Sequence, residues 1–219
     1  RTPPPAGKNL APLLKDLEIF PEYLDGAANW MSLWYGPKGT VTPLHHDHMN
    51  ILMAQVQGRK RIRLIPATEM DLVYNNRGVY SPIDAENPDY ERFPNFREAE
   101  RHALVADLEP GDAIYIPALW WHAVQATGEI NALVNYWWTD HPLDAGSPMH
   151  ALGHGLLTIS HLPEHKRQAW RTLFDHYVFK AHGEPAEHIP EPARGIIGRS
   201  IPELRRVIKQ FLMRALTSL

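Results

Sequence analysis

From Trp30 to about Thr139 the chain is written in short β-prone runs: WMSLWYG, TVTPLHHD, ILMAQVQG, KRIRLIP, DAIYIP and INALVNYWW. GPKG, QGRK, EPGD and ATGE separate several of them. Runs of this length, rich in β-branched and aromatic residues and bounded by Gly, Pro and Asp, are strands joined by turns. The stretch therefore predicts a β-barrel or sandwich. Twenty prolines in 219 residues point the same way, because interior proline breaks a helix. The polar stretch from about Ala67 to Glu100, which contains NPDYERFPNF, interrupts the strands and reads as a long ordered insertion. After about Pro142 the period changes to that of helices. PEHKRQAWRTLFDHYVFKA places Trp170, Leu173, Phe174, Tyr177 and Val178 on one face, and PELRRVIKQFLMRAL does the same with Leu204, Val207, Ile208, Phe211 and Leu212.

The expected division is an N-terminal arm with a short helix (1–29), a β core (30–141) and a C-terminal helical module (142–219). The chain opens on RTPPPAGKN without a methionine, so it reads as a piece that lacks an N-terminal part of its fold. A formal net charge of -3 gives no global attraction to nucleic acid or an anionic membrane. No apolar run is long enough to span a bilayer. With no cysteine, disulfides and thiolate metal sites are excluded, and a metal must use His and carboxylate. The expected location is the cytoplasm.

The segment TPLHHDHMN concentrates three histidines and an aspartate in four positions. Alternate side chains of a strand share a face, so His45 and Asp47 point one way and His46 and His48 the other. His45-x-Asp47 offers one imidazole and one carboxylate to a single ion. A third ligand would complete the 2-His-1-carboxylate triad of non-haem iron oxygenases, which leaves coordination positions open. The rival pair, His46-x-His48, has no evident third partner. Among the other histidines, His122 in GDAIYIPALWWHAVQ has the best context, after a turn, a strand and a tryptophan pair.

In RKRIRLI, alternation separates Arg59, Arg61 and Arg63 from Lys60, Ile62 and Leu64. Lys60 thus falls on the apolar face, where an unpaired ammonium is costly. An anionic ligand would answer it, such as the distal carboxylate of a dicarboxylate whose other end chelates the metal. The arginine row reads as a solvated sheet face rather than a nucleic-acid patch, because no aromatic residues accompany it. On the last strand, Asn135 lies between Leu133 and Trp137 and needs a hydrogen-bond partner, from the core backbone or from a ligand.

GTVTPLHHD, AQVQGRKRIRLIP, NPDYERFPNF, GDAIYIPALWWH and VNYWW, in that order, resemble the JmjC/cupin-like Fe(II)- and 2-oxoglutarate-dependent oxygenases, and within them the asparaginyl hydroxylases. The resemblance covers about Trp30 to Thr139. It implies a double-stranded β-helix (a jelly roll) with C-terminal α-helices. It also implies Fe(II) on His45, Asp47 and His122, and 2-oxoglutarate with O2 as co-substrates. Lys60 and Thr42 would bind the 2-oxoglutarate carboxylate, and Asn135 and Trp137 would line its pocket. Asn50 departs from the pattern: the asparaginyl hydroxylases carry their asparagine one position later, at Ile51 here, so Asn50 lines the pocket only through a local shift.

Trp120, Trp121 and Trp137 are candidates for keeping water out, with plain core packing the simpler reading of the first two. Arg77 and Tyr80 are candidate substrate contacts. The implied activity is hydroxylation of a protein or peptide side chain, with an RNA base or a small molecule as other substrates and a non-catalytic binding module as the remaining alternative. The C-terminal helices resemble the family's dimerisation module in placement, which implies a homodimer.

Overall fold

A computed structural model describes residues 30–217 and, before them, Pro12; the arm and short helix expected over 1–29 lie outside the described residues. The chain divides after Asp140 into two compact units. The first holds eight strands: β1 (Trp30–Pro37), β2 (Val41–His46), β3 (Asn50–Gln57), β4 (Lys60–Ile65), β5 (Leu104–Leu108), β6 (Ala113–Ile116), β7 (Trp121–Ala126) and β8 (Ile130–Trp138). They form two antiparallel sheets, ordered β1-β8-β3-β6 and β2-β7-β4-β5. This is the jelly-roll arrangement expected.

Alternation decides what lies between the sheets. Ile51 and Met53 of β3, Ile62 and Leu64 of β4, Ile116, Val124 and Trp137 pack into one buried cluster. The opposite face of β8 packs Val134 and Tyr136 with Leu52 in a smaller outer cluster. The outer face of the second sheet is not solvated where the insertion crosses it. Leu44, Ile65, Trp121 and Ala123 turn outward and are covered by Val73, Ile83, Phe93 and Phe96 of residues 67–103. Phe96 opens a short helix, α1 (Phe96–Arg101). The insertion is stiffened by Asp84 and Asp89, whose Oδ1 atoms each accept two backbone N–H groups just downstream.

The arginine row is paired throughout. Arg59 meets Glu109 at 2.8 Å, Arg61 meets Asp107 at 2.9 Å, and Arg63 reaches Glu100 at 3.1 Å and Glu86 at 3.5 Å. Arg63 therefore fastens the insertion to β4. Between β3 and β4, Gly58 has φ +73°, and a Cβ there would strike the Ile130 carbonyl and Asn131. Asn131, itself buried, accepts from Arg59 N (2.9 Å) and donates to Gly128 O (2.6 Å), which locks the turn just before Lys60.

The second unit carries α2 (Pro148–Thr158), α3 (Glu164–Tyr177) and α4 (Pro202–Thr217). None of these helices has a buried residue among the described ones. The predicted stripes meet at one cleft of about 1120 Å³, where Trp170, Phe174 and Tyr177 lie with Val207, Ile208, Phe211 and Leu212. Among the described residues, no helix is long and apolar enough to cross a membrane.

Because Phe96 is fully buried between the insertion and the sheet, Phe96→Ala should cost about 3–5 kcal/mol in urea unfolding. A loss below about 1 kcal/mol would mean that the insertion contributes no core.

Candidate functional site

The site begins with a defect in a strand. β2 pairs with β7 as Val41↔Gln125 and Thr42↔Val124, then the register shifts, and pairing resumes as His45↔His122 and His46↔Trp121. In a regular strand Thr42 and His45, three residues apart, would face opposite ways. The bulge at Pro43-Leu44 removes that conflict, so both line the same cavity while Leu44 and His46 turn to the outer cluster. β2 ends at His46, and Asp47 lies just past it. There the Asp47 carbonyl accepts from Leu119 N at 2.7 Å, which binds the strand end to the segment leading into β7.

His45, Asp47 and His122 each turn one ligand atom to a common point, all within 4.8 Å of one another. His122 Nε2 lies 4.0 Å from Asp47 Oδ2, and the two imidazole centroids are 4.1 Å apart. Both Nδ1 atoms are engaged by backbone carbonyls, His45 with Pro43 O (2.8 Å) and His122 with Trp120 O (3.1 Å). An Nδ1–H donated outward leaves the Nε2 lone pair facing inward, the tautomer a metal requires. Burial, and next the neighbouring His45, hold the His122 pKa well below its ordinary value, so the ring stays neutral. Trp137 Nε1 donates to Asp47 Oδ2 at 3.4 Å. Two imidazoles and one carboxylate fit a divalent iron-type ion.

Beside this cluster lies a cavity of about 120 Å³, lined also by Trp34, Thr42, Lys60, Leu133, Asn135 and Trp137. Burial pushes Lys60 from its ordinary 10.5 down to about 8. No carboxylate pairs with it among the described residues. Asn135 is buried, and its Oδ1 has no partner there. A half-buried cation and an orphaned amide oxygen line one cavity; the first asks for an anionic group and the second for a hydrogen-bond donor.

Residues 5–144 match the model of the family described as "Cupin-like domain". The chain belongs to that family. Human HSPB1-associated protein 1 is 40% identical over 113 residues, which is 48% of this chain and 23% of the relative. Lysine-specific demethylase JMJ30 of Arabidopsis thaliana is 36% identical over 141 residues, 61% of this chain and 32% of the relative. Lysine-specific demethylase 8 of Xenopus tropicalis is 35% identical over 113 residues, 50% of this chain and 25% of the relative. The chain thus matches about a quarter to a third of the length of these relatives.

Within this cupin-like domain, one residue expected at the cofactor lies elsewhere. Asn50 does not line the cavity. Its amide donates to Asp140 and accepts from Tyr115 and Ala118, because β3 starts with Asn50 turned outward and Ile51 turned into the core. His46 is buried against the edge of Trp121, 4.7 Å between centroids, and His48 is exposed, so neither joins the triad. Trp121 packs in the outer cluster and Trp120 against the inner one. Tyr80 reaches the cavity and stacks on His45 at 5.5 Å, whereas Arg77 is exposed. Trp34 was not singled out in the sequence. Its signal was the alternation of WMSLWYG, which puts Ser32 and Trp34 on one face, but only the pairing of β1 with β8 shows which face is inside.

With a folded pKa near 8 against 10.5, Lys60 carries a half-buried charge that costs stability below about pH 8. That cost is relieved as pH climbs toward 10.5, because the folded state gives up the proton first. Lys60→Met should therefore raise the thermal midpoint of the cofactor-free chain at neutral pH, by less as the solution becomes alkaline. A lower midpoint for the variant at neutral pH would contradict this.

Proposed function

We propose that this domain is an Fe(II)- and 2-oxoglutarate-dependent oxygenase that hydroxylates a protein or peptide side chain. The observation that carries the reading is the convergence of His45, Asp47 and His122 beside a cavity holding an unpaired Lys60. His45, Asp47 and His122 would hold the iron and leave positions open for co-substrates. Iron with 2-oxoglutarate and O2 supplies the oxidising chemistry: the co-substrate leaves as succinate and CO2, and one oxygen atom goes to the substrate. Lys60 would neutralise the distal carboxylate, with the Thr42 hydroxyl as a second donor. The Asn135 side chain would take up a polar group of the ligand. Trp34 and Trp137 wall the cavity and exclude water, and the Trp137 indole N–H fixes the Asp47 carboxylate. Tyr80, at the cavity and half exposed, would meet the substrate.

A second reading, lysine demethylation, takes its support from two relatives that bear that name. Oxidation of an N-methyl group ends in formaldehyde release, whereas hydroxylation of a carbon leaves one added oxygen on the peptide. Succinate formation with Fe(II), assayed with and without candidate peptides and with a formaldehyde readout, separates the two. His45→Ala and Asp47→Ala should bring turnover to background. His48→Ala should keep most of it, as should His46→Ala below its lowered melting temperature. Equal loss from all four would refute the ligand assignment. Affinity for 2-oxoglutarate should fall above about pH 8, as free Lys60 loses its proton, by up to about tenfold per pH unit.

The apolar stripe of α4 supports a homodimer, since Phe211 is 67% and Val207 49% exposed. Light scattering should give twice the chain mass at micromolar concentration, and Phe211→Glu should halve it. A monomeric mass for the unsubstituted chain would contradict the dimer.

A further inference from the structure

Asn50 has no task in the proposed reaction, yet it is buried and every polar atom of its side chain is engaged. Its Oδ1 accepts from Tyr115 Oη at 2.9 Å and from Ala118 N at 3.1 Å, and its Nδ2 donates to Asp140 Oδ2 at 2.8 Å. These contacts join three segments: the end of β6, the passage 117–120 into β7, and the residues just past β8. Asn50 itself is three residues beyond Asp47.

The passage needs holding. Leu119 sits at φ +68°, a left-handed backbone that non-glycine residues rarely adopt and that persists only when its surroundings fix it. Leu119 N is held by Asp47 O at 2.7 Å, and Trp120 N by Pro117 O at 3.2 Å. Ala118 N, next to the strained residue, is held by Asn50. The carbonyl of Trp120, at the far end of this passage, is the group that His122 Nδ1 meets. The orientation of the His122 ring therefore follows from the shape of residues 117–120.

We infer that Asn50 is a positioning residue for the metal-ligand cluster: its side-chain oxygen fixes the 117–120 passage, which aims His122 and ties it to Asp47. Asn50 acts through backbone and never touches the ion. The inference rests on the metal site proposed above. It also accounts for a buried asparagine beside the position where the resembling enzymes carry theirs: here Ile51 fills the inward position and the amide serves from outside.

The test is the affinity of the metal for the whole chain, read with Co(II) alone by visible absorption and calorimetry, with no turnover needed. Removing an outer partner of a ligand commonly weakens metal binding by about 10- to 100-fold, and Asn50→Ala should weaken Co(II) by at least the lower figure. Asp140→Ala, which spares the Oδ1 contacts, should stay within about twofold of the parent, a change too small to count as a lost partner. The exchanged pair Asn50→Asp with Asp140→Asn keeps an oxygen toward Ala118 and a donor–acceptor contact across the two positions, so it should restore tight binding. Asn50→Leu, of similar volume and without an acceptor, gives the same test if the alanine variant does not fold. Parent-like affinity in Asn50→Ala or Asn50→Leu overturns the inference, and so does an exchanged pair as weak as the single variant. A parent chain that takes up no Co(II) overturns the metal-site reading, and this inference with it.

Discussion

The pairing of His45 with His122 across β2 and β7 is the constraint on which the site depends. Residues directly opposite in an antiparallel ladder carry their side chains to the same face at close range. Strand pairing brings the two imidazoles together with Asp47 at the strand end, and the 117–120 passage then sets the His122 ring. Rigid strands hold the geometry, and the carbonyls of Pro43 and Trp120 set both ring tautomers. Shifting β7 by one residue would put Trp121 opposite His45 and send His122 to the outer face.

Around that pair the two faces of the second sheet do opposite work. The inner face carries His45, Lys60, His122 and Val124 toward the cavity. The outer face is sealed by the insertion, with Arg63 paired to Glu86 and Glu100 and with Phe93 and Phe96 packed on Trp121 and Leu44. A sheet covered on both sides holds its register better than one open to water on one side. The insertion thus supports the site without contributing a ligand to it. Lys60 is the polar exception on the inner face, and Asn135 faces the same cavity from the other sheet. Both oppose stability in the ligand-free chain, which is the mark of groups retained for binding.

Much of this was legible in the residues. The His-x-Asp spacing on a β-prone run, the lysine on the apolar side of an arginine row and the asparagine in an apolar row each broke a local rule, and all of these residues line the same cavity together with His122. Short runs and turns led to a β-barrel or sandwich, and the family resemblance narrowed it to a jelly roll. Other features had no one-dimensional signal. A bulge leaves no trace in alternation, so nothing in TPLHH said that Thr42 and His45 would share a face. The outward turn of Leu44 and His46 was predictable, but not the hydrophobic cover from residues 67–103, because its core residues are scattered through a polar stretch. The resemblance placed Asn50 at the cofactor only through a one-residue shift, and the start of β3 turns it away. The apolar stripes of α3 and α4 were visible as periodicity, which does not reveal what covers them.

The most direct measurement is a crystal structure of the chain grown without oxygen in Fe(II) and 2-oxoglutarate, with the metal located by anomalous scattering at the iron edge. The account predicts one iron held by His45, Asp47 and His122, with the distal carboxylate of 2-oxoglutarate on Lys60. Iron bound by His46 and His48, or a triad lacking His122, would contradict it.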